Sequence, residues 1–341
     1  MDSVRLAHLL RDSTIITMII KKNSLIEKHY RKLLEEHGIT VIPVDFKFAL
    51  SPTLVYQARK ILRQQNIGNV IYFGASELKS LFFSFIGLDI NLIIRHGTTK
   101  NSPKKDVFHR LIYSKVCWHV ATSHHIENNI KKIMPFGRNS KSKVIYPSLR
   151  FETRRNPISS APPNRKLELV HVGRITDAKG QTDAILACEA LYLKRIPFRL
   201  RLVGEVDKSF YPQLEKILNK IDFSDSIEIC GYTETPQDYL ETANIFLFPS
   251  HGEGFGNAFI EALYFNLICI AYNNTVFPEF KKMGFSVLLA EHKDLDSLKA
   301  KILEACKAIT QNENFTGNNK ELCIKMFSKS REKSAFLKIM R

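Results

Sequence analysis

Apolar residues in this chain fall into short dense runs, and between the runs they recur at every third or fourth position. The first pattern predicts buried strands and the second amphipathic helices. In the first half, a helix is expected over 3–11, capped by Asp2 or Ser3. A strand at TIITMII (14–20) follows, then a helix over 24–38 closed by Gly38 and a strand at 39–44. Next come a helix over 53–66, a strand over 69–75, an apolar helix over 77–86 and a strand over 91–97. A helix over 106–116, a strand at WHVATS (118–123), a helix from His124 and a short strand over 143–147 complete this half. The segment FETRRNPISSAPP (151–163) breaks the alternation; polar and proline-rich, it reads as a linker. The alternation then restarts. Strands are expected at 166–173, 198–204, 226–231, 244–248, 268–273 and 286–290. Helices are expected at 181–195, 209–221, 236–243, after 256 and at 295–311, with a loop opened by TVFPEF (275–280) and one or two helices over 319–341. Strand–helix alternation of this kind implies parallel, doubly wound sheets.

One stretch concentrates candidate chemistry: NIFLFPSHGEGFGNAFIEAL, 244–263. Pro249 ends its strand. Gly252, Gly254 and Gly256 form a loop, and Gly256 or Asn257 can cap the helix that follows. Such a loop presents backbone N–H groups to an anion. It also lies at the carboxyl end of a strand, where open α/β sheets bind ligands. Glu253 sits in the loop and Glu261 early in the helix. A carboxylate repels phosphate, so the pair suits hydroxyls, such as those of a ribose and a sugar.

EGFGNAFIE resembles the E-x7-E signature of retaining glycosyltransferases of family 4, which have the GT-B fold. VHVGRITDAKG (170–180) resembles that family's phosphate-binding segment, LRLVGEV (200–206) its next strand and glycine, and IEICGYTE (227–234) its base-binding strand and turn. The resemblance covers most of 165–330 and is looser over 1–150. It implies an α/β, GT-B architecture of two Rossmann-like doubly wound parallel-sheet domains facing a cleft. The expected division is an acceptor-binding domain over 1–155, a nucleotide-sugar-binding domain over 156–325, and a C-terminal helix over 326–341 crossing back to the first.

The resemblance also implies roles. Arg174 and Lys179 grip the donor diphosphate; two fixed cations stabilise the charge that develops on it. Glu261 holds the ribose and Glu253 the sugar hydroxyls. Gly173, Gly204, Gly254, Phe255, Gly256 and Asn257 line the donor, Tyr232 sits by the base, and His96, in RHG (95–97), faces the cleft as a catalytic residue. No cofactor is expected besides the nucleoside diphosphate sugar, and no metal. Asp294-Leu-Asp296 spells D-x-D, but either aspartate reads as a helix N-cap. His124 and His125 read as a helix start. No G-x-x-x-x-G-K-[ST] is present, so a P-loop ATPase is unsupported. In the family a strand and a glycine-rich loop precede the first helix. This sequence starts in what resembles that helix, so upstream DNA is expected to encode the element unless the protein departs from the family.

Charge adds a partner to this picture. The chain carries a net charge of +16, and residues 1–150 hold 24 Lys and Arg against 10 Asp and Glu, whereas the remainder holds 26 against 24. A basic first half points to an acidic partner. The anionic cytoplasmic leaflet is the expectation, with no nucleic acid. Residues 100–116 interleave bases with aromatics that suit phosphates of an acceptor or a lipid. The six cysteines are isolated, which argues against a zinc ribbon or disulfide framework and suits a reducing cytoplasm. The expected location is cytoplasmic, peripheral on the inner membrane face. The expected function is retaining transfer of a sugar to a glycan or glycolipid, as in lipopolysaccharide or other surface polysaccharide synthesis. The alternatives are a sugar-nucleotide epimerase of the same fold and an inactive glycan- or nucleic-acid-binding protein.

Overall fold

The structure is a computed structural model that describes residues 2–74, 76–149 and 166–341. The linker expected at 151–163 lies outside the described residues. In chain order the first half comprises α1 (Asp2–Leu10), β1 (Thr17–Lys21), α2 (Leu25–Glu36), β2 (Thr40–Val44), α3 (Pro52–Gln64) and β3 (Asn69–Tyr72). It continues with α4 (Leu78–Ser84), β4 (Asn91–His96), α5 (Val107–Tyr113), β5 (Val116–Ala121), α6 (His124–Ile133) and β6 (Lys141–Val144). Then follow β7 (Leu167–Val172), α7 (Gln181–Ala187), α8 (Glu189–Leu193), β8 (Phe198–Val203), α9 (Tyr211–Leu218), β9 (Ile227–Gly231), α10 (Gln237–Thr242) and β10 (Ile245–Phe248). The chain ends with α11 (Asn257–Tyr264), β11 (Ile268–Tyr272), α12 (Phe277–Lys282), β12 (Leu288–Ala290), α13 (Leu295–Thr310), α14 (Asn319–Met326) and α15 (Lys329–Met340). Two compact units result: Met1–Ser148 with Lys329–Arg341, and Leu149–Ser328.

In the second unit six parallel strands lie in the order β12-β11-β10-β7-β8-β9. The chain winds outward from β7 through β8 to β9, then returns to place β10 on the other side of β7 and winds out again. That reversal is a topological switch point, and it opens a crevice at the carboxyl ends of β7 and β10. The central strands are apolar on both faces because helices cover both. Ile245, Phe246, Leu247 and Phe248 are all buried, as are all five residues of β11. The helix expected over 181–195 is two helices meeting at Cys188, a fully buried residue in helical conformation that caps both. The loop expected at 275–280 contains α12 instead. Pro278 sits in its first turn, where proline removes no helical hydrogen bond.

In the first unit β3, β4, β5 and β6 form one parallel ladder in sequence order, and β1 pairs with β2 in a separate parallel ladder. The single sheet expected here is thus two ladders, because no described strand pairs with the outer edges of β1 and β3. A buried ionic cluster fastens α1 and α15 to this unit. The Arg95 guanidinium, 1% exposed, donates to Asp2 (3.0 Å) and to the Ile145 carbonyl (2.7 Å), and it approaches Glu332 at 3.4 Å. Glu332 also accepts from Arg5 and from the Ser148 amide. Two arginines and two carboxylates share these charges, which is what allows Glu332 to be buried.

Candidate active site

The carboxyl ends of β7, β8 and β9 each carry a glycine, and the three backbones interlock. Gly173 N–H donates to the Val203 carbonyl and Gly204 N–H to the Gly231 carbonyl. A Cβ on Gly204 would stand 2.1 Å from the Gly173 oxygen, with φ at +148°. Only glycine fits there. The loop after β7 is therefore held low over the sheet. Gln181, fully buried, clamps it by donating to the Arg174 carbonyl (3.0 Å) and accepting from the Thr176 amide (3.3 Å).

That loop also docks on the loop after β10. A Cβ on Gly180 would meet the Pro249 oxygen at 1.9 Å. The His251 amide and the Ser250 hydroxyl both donate to the Ala178 carbonyl. Beneath them Asp183 accepts from the Tyr272 hydroxyl (2.8 Å) and meets the His251 imidazole at 3.1 Å. The two loops that line the switch-point crevice are thus bonded into one surface.

On that surface Lys179 and Glu253 form an ion pair. Lys179 also lies 5.9 Å from the Phe248 ring centroid. Glu253 accepts from the Ser250 hydroxyl (3.0 Å), and its own amide donates to Thr275 Oγ1 (3.1 Å). Arg174 is exposed at the same rim. Asn257 and Ala258 begin α11, after Gly256 in the left-handed conformation, and their amides meet no acceptor among the described residues. A helix N-terminus of this kind attracts anions. Glu261 lies further along α11, half-buried. Its carboxylate has no hydrogen bond or ion pair among the described residues, and burial raises its pKa to about 7. A half-buried carboxylate without a protein partner among the described residues can accept hydroxyl hydrogen bonds.

The structure brings Gly173, Arg174, Lys179, Gly204, Glu253, Gly254, Gly256, Asn257 and Glu261 to the carboxyl rim of one sheet. Phe255 turns its ring into the core against Phe280 and Phe327, so only its backbone can serve a ligand. Tyr232 follows β9, the edge strand, and stands 74% exposed, two strands from β7. His96 belongs to the first unit, at the carboxyl end of β4, buried. Its Nε2 meets His119 Nδ1 at 3.1 Å with the two rings near-parallel, and His119 stacks on Phe136 at 4.2 Å between ring centroids. Burial lowers the pKa of His96 to about 3 and of His119 to about 4. His119 Nε2 is buried without a partner. An orphaned donor costs more than an orphaned lone pair, so the proton sits on His119 Nδ1 and is donated to His96 Nε2. His96 then carries its own proton on Nδ1.

The family model for glycosyl transferases group 1 matches residues 152–322, half of the chain. The chain belongs to the glycosyl transferases group 1. Among curated relatives of this glycosyltransferase, the capsular polysaccharide biosynthesis glycosyltransferase CapH of Staphylococcus aureus is 28% identical over 305 residues, covering 82% of this chain and 81% of that protein. The putative colanic acid biosynthesis glycosyltransferase WcaL of Salmonella typhimurium is 28% identical over 150 residues, 42% of this chain and 36% of that one. Among solved structures, a glycosyltransferase from Rickettsia africae superposes with a TM-score of 0.81 at 16% identity, covering 99% of this chain and 93% of that chain. Anabaena Alr3699/HepE in complex with UDP superposes at 0.76 with 14% identity, covering 99% and 95%. The fold is GT-B, two Rossmann-like domains of parallel strands alternating with helices.

In this glycosyltransferase several supporting residues escape motif reading: Ser250, Thr275 and Gln181, which fix the Glu253 and Arg174 loops, and His119 behind His96. Asp294 is an N-cap, accepting from the Ser297 amide at 2.9 Å, and His124 begins α6 behind the Ser123 cap.

Proposed function

We propose that this chain is a retaining glycosyltransferase of family 4 that moves a sugar from a nucleoside diphosphate sugar to a glycan or lipid-linked acceptor in surface polysaccharide synthesis. The observation that carries this reading is the Lys179–Glu253 pair on the same rim as the unpartnered Glu261. A donor needs a cation for its diphosphate and carboxylates for its hydroxyls, and the rim offers both. The ion pair also answers the repulsion a lone carboxylate would exert on a diphosphate. The UDP- and glucose-bound structures of Anabaena Alr3699/HepE support a nucleotide-sugar donor, and the capsular and colanic acid relatives support a polysaccharide acceptor.

In this account Glu261 accepts from the ribose and Glu253 from the transferred sugar. Arg174, Lys179 and the α11 amides stabilise the departing diphosphate. The bond from the anomeric carbon to the phosphate oxygen breaks, and the acceptor hydroxyl oxygen bonds to that carbon from the same face. The hydroxyl proton passes to the leaving phosphate. No divalent metal is required for charge the two cations carry. The catalytic role of His96 rests on the resemblance alone.

The test is a thermal-shift screen of UDP-, GDP-, ADP- and CMP-sugars, followed by NMR of the product made from the best donor. The expected product keeps the donor's anomeric configuration, and its formation is insensitive to EDTA. An inverted product overturns retention, and loss of activity in EDTA overturns metal independence. Release of an epimerised nucleotide sugar, with no transfer, favours the epimerase reading.

A further inference from the structure

One face of the first unit joins exposed apolar side chains to an uncompensated cluster of lysines. On α5 the residues Val107, Phe108 and Leu111 point outward, Val107 being 83% exposed, while Ile112 and Tyr113 face the core. Lys79 of α4 lies over the Phe108 ring at 5.5 Å, and Phe83, one turn on from Lys79, extends the same apolar strip. The segment before α3 packs on the same helix, α4. Ser80 of α4 donates to the Ala49 carbonyl and accepts from the Ser51 amide, which sets Phe48, 74% exposed, and Leu50 beside α4.

The lysines are held in place. The Lys100 backbone is bonded both ways to the Asn129 side chain, and the Lys104 amide donates to the Ile133 carbonyl. Burial, and then the charges of Lys100 and Lys79, lower the pKa of Lys104, so three ammonium groups converge. The nearby carboxylates are already engaged. Asp106 caps α5 and holds His109, and Glu77 accepts from Tyr72 and Ser76. Lys79, Lys100, Lys104 and Lys105 form no ion pair among the described residues. The face therefore lacks a diffuse negative charge and has aliphatic and aromatic side chains standing in water.

We propose that this face docks on the anionic surface of a lipid bilayer, with Val107, Phe108 and Leu111 entering the headgroup–acyl boundary and the lysines lying among the lipid phosphates. Nucleic acid would satisfy the lysines and stack on the aromatics, but it offers nothing to Val107, Leu111 and Leu50. A bilayer satisfies both kinds of group at once. The docking face sits on the elements that follow the carboxyl ends of β3 and β4, the end that carries His96. A lipid-linked acceptor held in that bilayer would be presented to the same end of the unit. The docking itself requires neither donor nor transfer, so it stands or falls apart from the reaction proposed above.

The experiment is co-sedimentation with vesicles of phosphatidylcholine alone and of phosphatidylcholine with phosphatidylglycerol. The protein is expected to pellet with the anionic vesicles only and to be released by salt, because surface charge is screened over ~10 Å at 0.1 M. Lys100→Gln/Lys104→Gln/Lys105→Gln is expected to weaken binding roughly 100-fold, each lysine near an anionic surface contributing about fivefold. Val107→Ser/Leu111→Ser is expected to weaken it while the melting temperature stays at the wild-type value. Phe108→Trp supplies a readout that needs no loss of binding: its emission is expected to be quenched by brominated acyl chains. Equal pelleting with neutral vesicles, an unquenched tryptophan, or tighter binding to duplex DNA than to anionic vesicles would each overturn the proposal.

Discussion

Lys179 and Glu253, 74 positions apart in the chain, form an ion pair across the crevice between the loops after β7 and β10. Neither side chain is fully exposed, at 30% and 12%. The cation assigned to the diphosphate thus already neutralises the carboxylate assigned to the sugar. Their coupling is measurable without ligand. Urea unfolding of Lys179→Met, Glu253→Gln and the double variant is expected to give a coupling of roughly 1 kcal/mol, within the range for contacting residues. Strict additivity would show that the two do not interact in solution.

Glu261 makes the pH behaviour specific. Its ordinary value is 4.5, and burial raises it to about 7. Between those values the folded state holds a proton the unfolded state has lost, so stability falls as pH rises, and the penalty is complete above about 7. Glu261→Gln removes a penalty of up to ~3 kcal/mol. Urea denaturation is expected to find this variant more stable than wild type at pH 8 and equal to it near pH 4.5. Because ribose hydroxyls donate to the ionised form, wild-type donor KM is expected to fall as pH rises through about 7, and the variant's to stay flat.

The His96–His119 pair has the opposite sign. Burial lowers these imidazoles to about 3 and about 4 from 6.5. The unfolded chain binds the extra protons below about 6.5, so the pair's contribution is present at neutral pH and lost on acidification toward 4. His119→Phe removes one titrating group and is expected to flatten the stability loss between pH 6.5 and 4.5 in urea melts. An unchanged slope would mean that His119 is not buried neutral.

Gly204 tests the glycine shelf. Gly204→Ala forces a Cβ against the Gly173 oxygen at a φ unsuited to alanine, and backbone there has no slack. A loss of roughly 1–3 kcal/mol in stability, with weakened nucleotide binding, is expected. Gly68→Ala, where a Cβ meets nothing within 4 Å, is the matched control and should melt as wild type.

Much of this site was legible in the sequence, and the reasons for the remainder are physical. The strands were readable because β10 and β11 are buried on both faces and so appear as dense apolar runs, while β8 alternates apolar residues with Arg199 and Arg201. The glycines were readable because Gly173, Gly204 and Gly256 occupy backbone conformations or close approaches that exclude a Cβ. The α12 helix was hidden by Pro278, which looks like a breaker but sits in a first turn. The break at Cys188 was hidden because the apolar spacing runs straight through it. Contacts that depend on tertiary packing carry no local signature: Lys179 with Glu253, Thr275 under the Glu253 amide, and His119 behind His96. The exposure of Tyr232 also depends on its place beyond an edge strand, which periodicity does not report.

The central claim is that the two glutamates divide the donor, Glu253 taking the sugar that reacts and Glu261 the ribose that does not. Steady-state kinetics of Glu253→Gln and Glu261→Gln against the preferred nucleotide sugar test it most directly. A hydrogen bond to a charged group contributes ~1.5–3 kcal/mol, so each change is expected to be roughly 10- to 150-fold. For Glu253→Gln the loss should fall mainly on kcat, because a contact to the reacting sugar orients it for attack. For Glu261→Gln it should appear mainly as a raised donor KM, the mark of binding that is uniform along the reaction. A Glu253→Gln enzyme with wild-type kcat, or a Glu261→Gln enzyme that loses kcat at unchanged KM, would contradict the assignment.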